Sequence, residues 1–223
     1  NDLGRYWPSD VASGFHEWVI ENIRDGSFSN SRIELSGRVD TASGQVKISK
    51  FGATAKVKNT KVHFFRPMPP VLNTDFTVAF GNDRIDIQIE RGNLRGIAIS
   101  EGSVALTELD EEDSNLETNL VLRGGLGNAL ILLNHLKLGY LTKLGFDPAM
   151  IKGETAVRVS AKFPLLRDLR FEQIDIRAAA NLLDVFAPTI AFGHDLTQGQ
   201  IALRLDGSAM SLIGQAKIGG VPG

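Results

Sequence analysis

The sequence predicts a mainly β protein with a few helices (α+β class). The expected architecture is an elongated, curved antiparallel sheet, a β-trough, with an N-terminal helix and a central leucine-rich helical segment. Three observations predict it. Apolar residues alternate with polar ones over most of the chain. Glycines punctuate those runs at short intervals, as turns between neighbouring antiparallel strands do. In two stretches the period of two gives way to helical patterning.

Residues 1–26 read as a helical lead-in. Val11, Phe15, Trp18, Val19 and Ile23 fall on one helical face, Pro8 and Ser9 suit its entrance, and Gly26 suits its exit. Residues 27–125 read as a β-meander. Ile33, Leu35 and Val39 open it, followed by Val46 and Ile48, Val62 and Phe64, then Phe76, Val78 and Phe80. In "DRIDIQIERG" Ile85, Ile87 and Ile89 alternate with Asp86, Gln88 and Glu90, so one face is pure isoleucine and the other polar. Ile97 and Ile99, Val104 and Leu106, and Leu120 and Leu122 continue the pattern, with Gly44, Gly81, Gly92, Gly96 and Gly102 expected at turns.

Residues 126–152 form a leucine-rich insertion, read as one or two helices broken near Gly139 and stopped by Pro148. A second meander spans 153–223: Val157, Val159, Ala161 and Phe163; Ile174 and Ile176; Ile201, Leu203 and Leu205; Met210 and Leu212; Ala216 and Ile218. Within it, residues 180–192 ("ANLLDVFAPTIAF") are expected to hold a short helix. No linker of biased composition divides the chain, which is read as one continuous unit cut from a longer protein.

The balance is globular: 43% hydrophobic and 22% charged over 223 residues. A net charge of -2 predicts no broad attraction for nucleic acid. Absence of Cys excludes disulfides and thiolate chemistry. No apolar run approaches the roughly 18 residues of a membrane helix.

The motifs that carry chemistry elsewhere do not assemble here. "LVLRGGLGNAL" runs from strand through glycines to helix, as a dinucleotide fingerprint does, but Leu130 stands at the third glycine position and no βαβ alternation follows. Asp110, Glu111, Glu112 and Asp113 lack ordered ligand spacing and read as a solvated loop. His16, His63, His135 and His194 are far apart, and His194 with Asp195 has neither a nucleophile elbow nor a cysteine to activate. Lys56, Lys58, Lys61 and Arg66 read as the polar outer face opposite Val57, Val62 and Phe64. The expectation is a protein with no catalytic residues, no metal and no cofactor.

The strong signal is distributed. Two folds accommodate many one-sided strands: a closed sandwich, which would suit a scaffold docking other proteins, or a sheet curved along its length into a groove. A dozen one-sided strands need a second layer that two or three modest helices cannot supply, which favours the groove. Its candidate lining is Val62, Phe64, Phe76, Val78 and Phe80; Ile85, Ile87 and Ile89; Ile97, Ile99, Val104 and Leu106; Leu120 and Leu122; Val157 and Val159; Ile174 and Ile176; and Ile201, Leu203 and Leu205.

The order of landmarks resembles the AsmA-like proteins of Gram-negative bacteria, in particular the large YhdP-type members, relatives of TamB. These landmarks are "YWP" (Tyr6 to Pro8), Trp18, Gly26, "RGNLRGIAISEGSVALTEL" (Arg91 to Leu109), "GNALILLNHLKLGYLTKLGFDPAMIKG" (Gly127 to Gly153), "FPLL" (Phe163 to Leu166) and the closing "LDGSAMSLIGQAKIGGVPG". The resemblance implies a periplasmic segment of a bridge that conducts phospholipid, or another acyl-chain lipid, between inner and outer membrane. It implies attachment to the inner membrane through an N-terminal anchor that this sequence lacks, envelope proteins as further partners, and no catalytic residues.

Overall fold

The computed structural model describes residues 20–39, 46–64, 68–109, 114–133, 147–166, 169–170, 173–191 and 193–222. Most of the expected N-terminal helix, the acidic run Asp110 to Asp113, Gly44, Arg66 and the leucine-rich stretch after Leu133 lie outside these residues.

The described strands form one open antiparallel sheet. In chain order they are β1 (Ile23–Arg24), β2 (Ser27–Val39), β3 (Val46–Val62), β4 (Val71–Phe80), β5 (Arg84–Leu94), β6 (Ile97–Thr107), β7 (Asn115–Gly125), β8 (Lys152–Pro164), β9 (Asp175–Ala191), β10 (His194–Asp206), β11 (Ala209–Ile218) and β12 (Val221–Pro222). From β3 to β12 each strand pairs with its sequence neighbour, while β1 and β2 both pair with β3. The two ends of the sheet do not meet, and no second sheet covers it among the described residues, so the closed sandwich is not the fold. The nine steps from β2 to β11 span about 43 Å at the usual strand spacing.

Four expectations need correction. Ile23, expected on the face of the lead-in helix, is strand: it opens β1 and pairs with Val62 of β3. Residues 180–191 are not helical: β9 runs unbroken as strand from Asp175 to Ala191, because β8 and β10 pair with it on both sides. Their ladder hydrogen bonds outweigh the helix preference of "AAANLL". Gly92 and Gly102 are not turns but interior strand positions, whereas Gly81 and Gly96 do lie in the β4–β5 and β5–β6 turns. A Cβ at Gly102 would sit 2.6 Å from Leu120 Cδ2 and 3.1 Å from the Asn119 carbonyl oxygen. That glycine therefore makes room for Leu120 rather than reversing the chain. Gly102→Val is expected to cost about 1–3 kcal/mol by overpacking, read as a lower urea midpoint; an unchanged midpoint would mean that no crowding exists there.

Bulges bend the strands near one end. The register slips between Val57 and Thr60 on β3 and between Leu72 and Asp75 on β4, with left-handed Asn59 (φ 56°) and Asn73 (φ 52°) inside the slips. Such bulges kink a strand and increase its twist. Asp75 pins this place: Oδ1 accepts the Asn59 N–H at 2.8 Å and Oδ2 accepts Arg91 Nε–H at 2.7 Å. The Arg91 hydrogen bond, seconded by the Asn59 amide, holds the Asp75 carboxyl below the usual carboxylate range. Gly153 on β8, Asp184 on β9 and Gln198 on β10, also left-handed, mark slips at the same end of the second half. At the bends glycines fit against neighbouring strands: a Cβ at Gly92 would lie 2.8 Å from Val71 Cγ1, and one at Gly199 would lie 2.9 Å from the Cβ of its ladder partner Val185.

A short helix, α1 (Leu126–Leu133), follows β7 directly and packs on the ends of β7 and β8 and on a 3-10 turn, Pro148–Met150. Asp147 caps that turn by accepting the Ala149 N–H at 2.9 Å. Leu126 is buried and Leu130 half-buried, while Ile131 and Leu133 are exposed. The leucine-rich segment thus seats only part of its apolar surface on the sheet end.

Candidate apolar groove

Side chains paired directly across an antiparallel ladder share one face, so the register can be followed from strand to strand. One row runs Phe28, Val57, Phe76, Ile89, Gly102, Leu120, Val159, Ala178, Leu205, Met210, crossing from β2 to β11. On one side of it lies Ala55, Val78, Ile87, Val104, Thr118, Ala161, Ile176. Next comes Ala53, Phe80, Ile85, Leu106, Leu116, Phe163. On the other side are Gly92, Ile99, Leu122, Val157, Ala180, Leu203, Leu212, and then Leu94, Ile97, Gly124, Thr155, Leu182, Ile201, Gly214. Nearly all the residues expected to line a groove therefore share one face.

Three expected members sit apart. Val62 pairs with Ile23 and Val71 at the bent end. Phe64 lies just beyond β3 and is exposed, and Ile174 precedes β9 and is half-buried. The sequence reading left out Val57, Leu116, Ala178, Ala180 and Leu182. The alanines gave the weaker signal, since Ala carries little side chain to mark a face. Their alternation with Arg177, Ala179 and Asn181 is nevertheless the same period of two.

The face changes character along the sheet. Over β3–β6 much of it is buried: Val57, Phe76, Val78, Ile85 and Leu106 form a cluster with Ile23, and Val62 and Leu109 pack against it. Over β8–β11 burial is less complete: Thr155 and Ala180 are buried, but the larger side chains of these rows are not. Val157, Val159, Ile176, Leu203 and Leu205 are half-buried, and at the far side Leu212 is 54% and Met210 60% exposed. A contiguous aliphatic surface on which no described residue closes remains available to an apolar ligand.

The polar candidates have other roles. Asp195 accepts the Thr189 N–H at 3.0 Å through Oδ1 and the Gly219 N–H at 3.1 Å through its carbonyl, so it ties β9 and β11 to β10. His194 is exposed, with its ring beside Gly219. Lys56 pairs with Glu90 at 2.6 Å on the polar face, as expected of that row. Gly127, in the glycine-rich turn, lies against the Ile151 carbonyl, where a Cβ would approach to 2.8 Å.

A family model described as YhdP protein matches residues 1–184. No curated protein and no solved structure matches the chain.

Proposed function

The chain belongs to the YhdP family, and we propose from that premise that it is a segment of a periplasmic lipid conduit whose apolar face carries acyl chains of phospholipid between inner and outer membrane. The observation that carries the reading is the set of mainly apolar cross-strand rows, one of which runs from β2 to β11, with many of their side chains part-exposed in the second half. Exposing acyl chain to water costs about 0.8 kcal/mol per methylene. A continuous aliphatic floor offsets that cost without any specific contact, so a lipid can slide along it. The charged headgroup stays at the open side in water. On this reading no side chain performs chemistry, and the longer parent protein is attached to the inner membrane.

Photocrosslinking in the intact parent protein in cells tests it. A photoreactive residue at Leu203, on the apolar face, is expected to capture phospholipid, detected by mass spectrometry. The same residue at Ala202, the next position on β10 and on the opposite face, is expected to capture none. Equal capture at both positions, or none at Leu203, overturns the proposal.

A further inference from the structure

The opposite face of the sheet carries a feature that acyl chains do not explain. Several cations of that face are matched by carboxylates: Lys56 with Glu90 at 2.6 Å, Arg84 with Asp86 at 2.7 Å, and Lys162 with Glu117 at 2.5 Å. Arg123 on β7, Arg158 on β8 and Arg204 on β10 are not, and the last two stand in one cross-strand row. Neither forms an ion pair among the described residues. Both are aligned with Ala179 of the strand between them, one on each side. Their backbones are thus two strand steps apart, about 9.6 Å, with only a methyl group between. The two arginines stand at one end of an open depression of about 640 Å³ that runs across the polar face from Gln88 on β5 to Asp206 on β10, with Arg177, Ser160, Asn119 and Ala179 in its lining. Arg177, diagonal to both, is pinned by Asp206 at 3.2 Å and Asp175 at 3.4 Å.

We propose that this depression binds a phosphate group, held between the Arg158 and Arg204 guanidinium groups. A guanidinium presents a planar fork of donors that matches two oxygens of one anion. A carboxylate has two oxygens and one charge, and satisfies one fork. A phosphate has further oxygens and, as the inorganic ion, further charge, and can meet a fork from each side. The Ser160 hydroxyl and the Asn119 amide supply neutral donors beside it. Of the carboxylates in the lining, Asp206 is already engaged by Arg177, and Glu101, two strand steps from Arg158 on the side away from Arg204, forms no ion pair with it among the described residues. Two uncompensated cations facing across an alanine repel one another, and an anion between them removes that repulsion. The site lies on the face away from the apolar rows and does not rest on the conduit reading.

The test is a calorimetric titration of the whole chain at low ionic strength with two probes: inorganic phosphate, and glycerophosphoethanolamine, a phospholipid headgroup without acyl chains. Saturable binding of at least one is expected. Arg158→Gln with Arg204→Gln should weaken it at least tenfold without shifting the melting temperature, since both side chains are exposed. Arg158→Lys should fall between, keeping charge but losing the fork. Arg84→Gln, on the same face but paired to Asp86, should bind as the wild type does. Tighter binding of the diester assigns the site to lipid headgroups, and tighter binding of the inorganic ion to free phosphate. No saturable binding of either probe, or equal affinity in the double variant, overturns the proposal.

Discussion

Ile85→Asp is expected to unfold the sheet, whereas Gln88→Lys, three residues along β5, should leave it intact. Ile85 is 1% exposed and belongs to the buried cluster with Val57, Phe76, Val78 and Leu106. A carboxylate placed there has no cation within the cluster. It must either ionise in an apolar environment or shift its titration far upward, and both courses are costly. The loss should exceed about 4 kcal/mol, at the extreme of single substitutions and a large part of the 5–15 kcal/mol that holds a typical domain. Gln88 is exposed on the other face, where substitutions usually change stability by less than about 0.5 kcal/mol. Urea denaturation followed by far-ultraviolet circular dichroism measures both. Equal effects would mean that the face assignment of β5 is wrong.

That contrast was legible in the sequence because alternation is a direct image of the pleat. Ile85, Ile87 and Ile89 could sit on one face only if "DRIDIQIERG" were extended, and the register agrees. The bends were not legible. Asn59 and Asn73 look like ordinary polar strand residues, yet each adopts φ above 50° inside a register slip. Asparagine tolerates that conformation better than most residues, but nothing in its neighbours says that this asparagine uses it. The bulge around Ser100 had a further consequence. It shifts the phase from Ile97 and Ile99 to Gly102, Val104 and Leu106, so one strand of 11 residues read as two short ones with Gly102 between them. β9 was misread for a different reason. Ala and Leu favour helix when local preference decides, but the segment is held between two neighbours whose pairing is non-local. The polar-face arginines were visible only as scattered residues, since the proximity of Arg158 and Arg204 depends on β9 lying between β8 and β10.

Two carboxylates set across the open half of the groove, Val157→Asp with Leu203→Asp, are expected to abolish acyl-chain retention while the sheet remains folded. Both positions belong to one row and flank Ala180. Both are half-buried, so the new charges reach water at a smaller cost than Asp at position 85. An acyl chain crossing them loses that option. Each carboxylate keeps its hydration and holds water over the floor, removing contact from about four methylenes in all. At about 0.8 kcal/mol each that is about 3 kcal/mol, more than a hundredfold in affinity. The control is the same added charge on the opposite face, Asn181→Asp with Ala202→Asp, which the register places together. Gentle purification of the intact parent protein followed by native mass spectrometry measures the bound lipid, and thermal melting checks the fold. Loss of lipid in both double variants would point to net charge rather than the groove. Full retention with carboxylates at 157 and 203 would mean that acyl chains do not travel over this face.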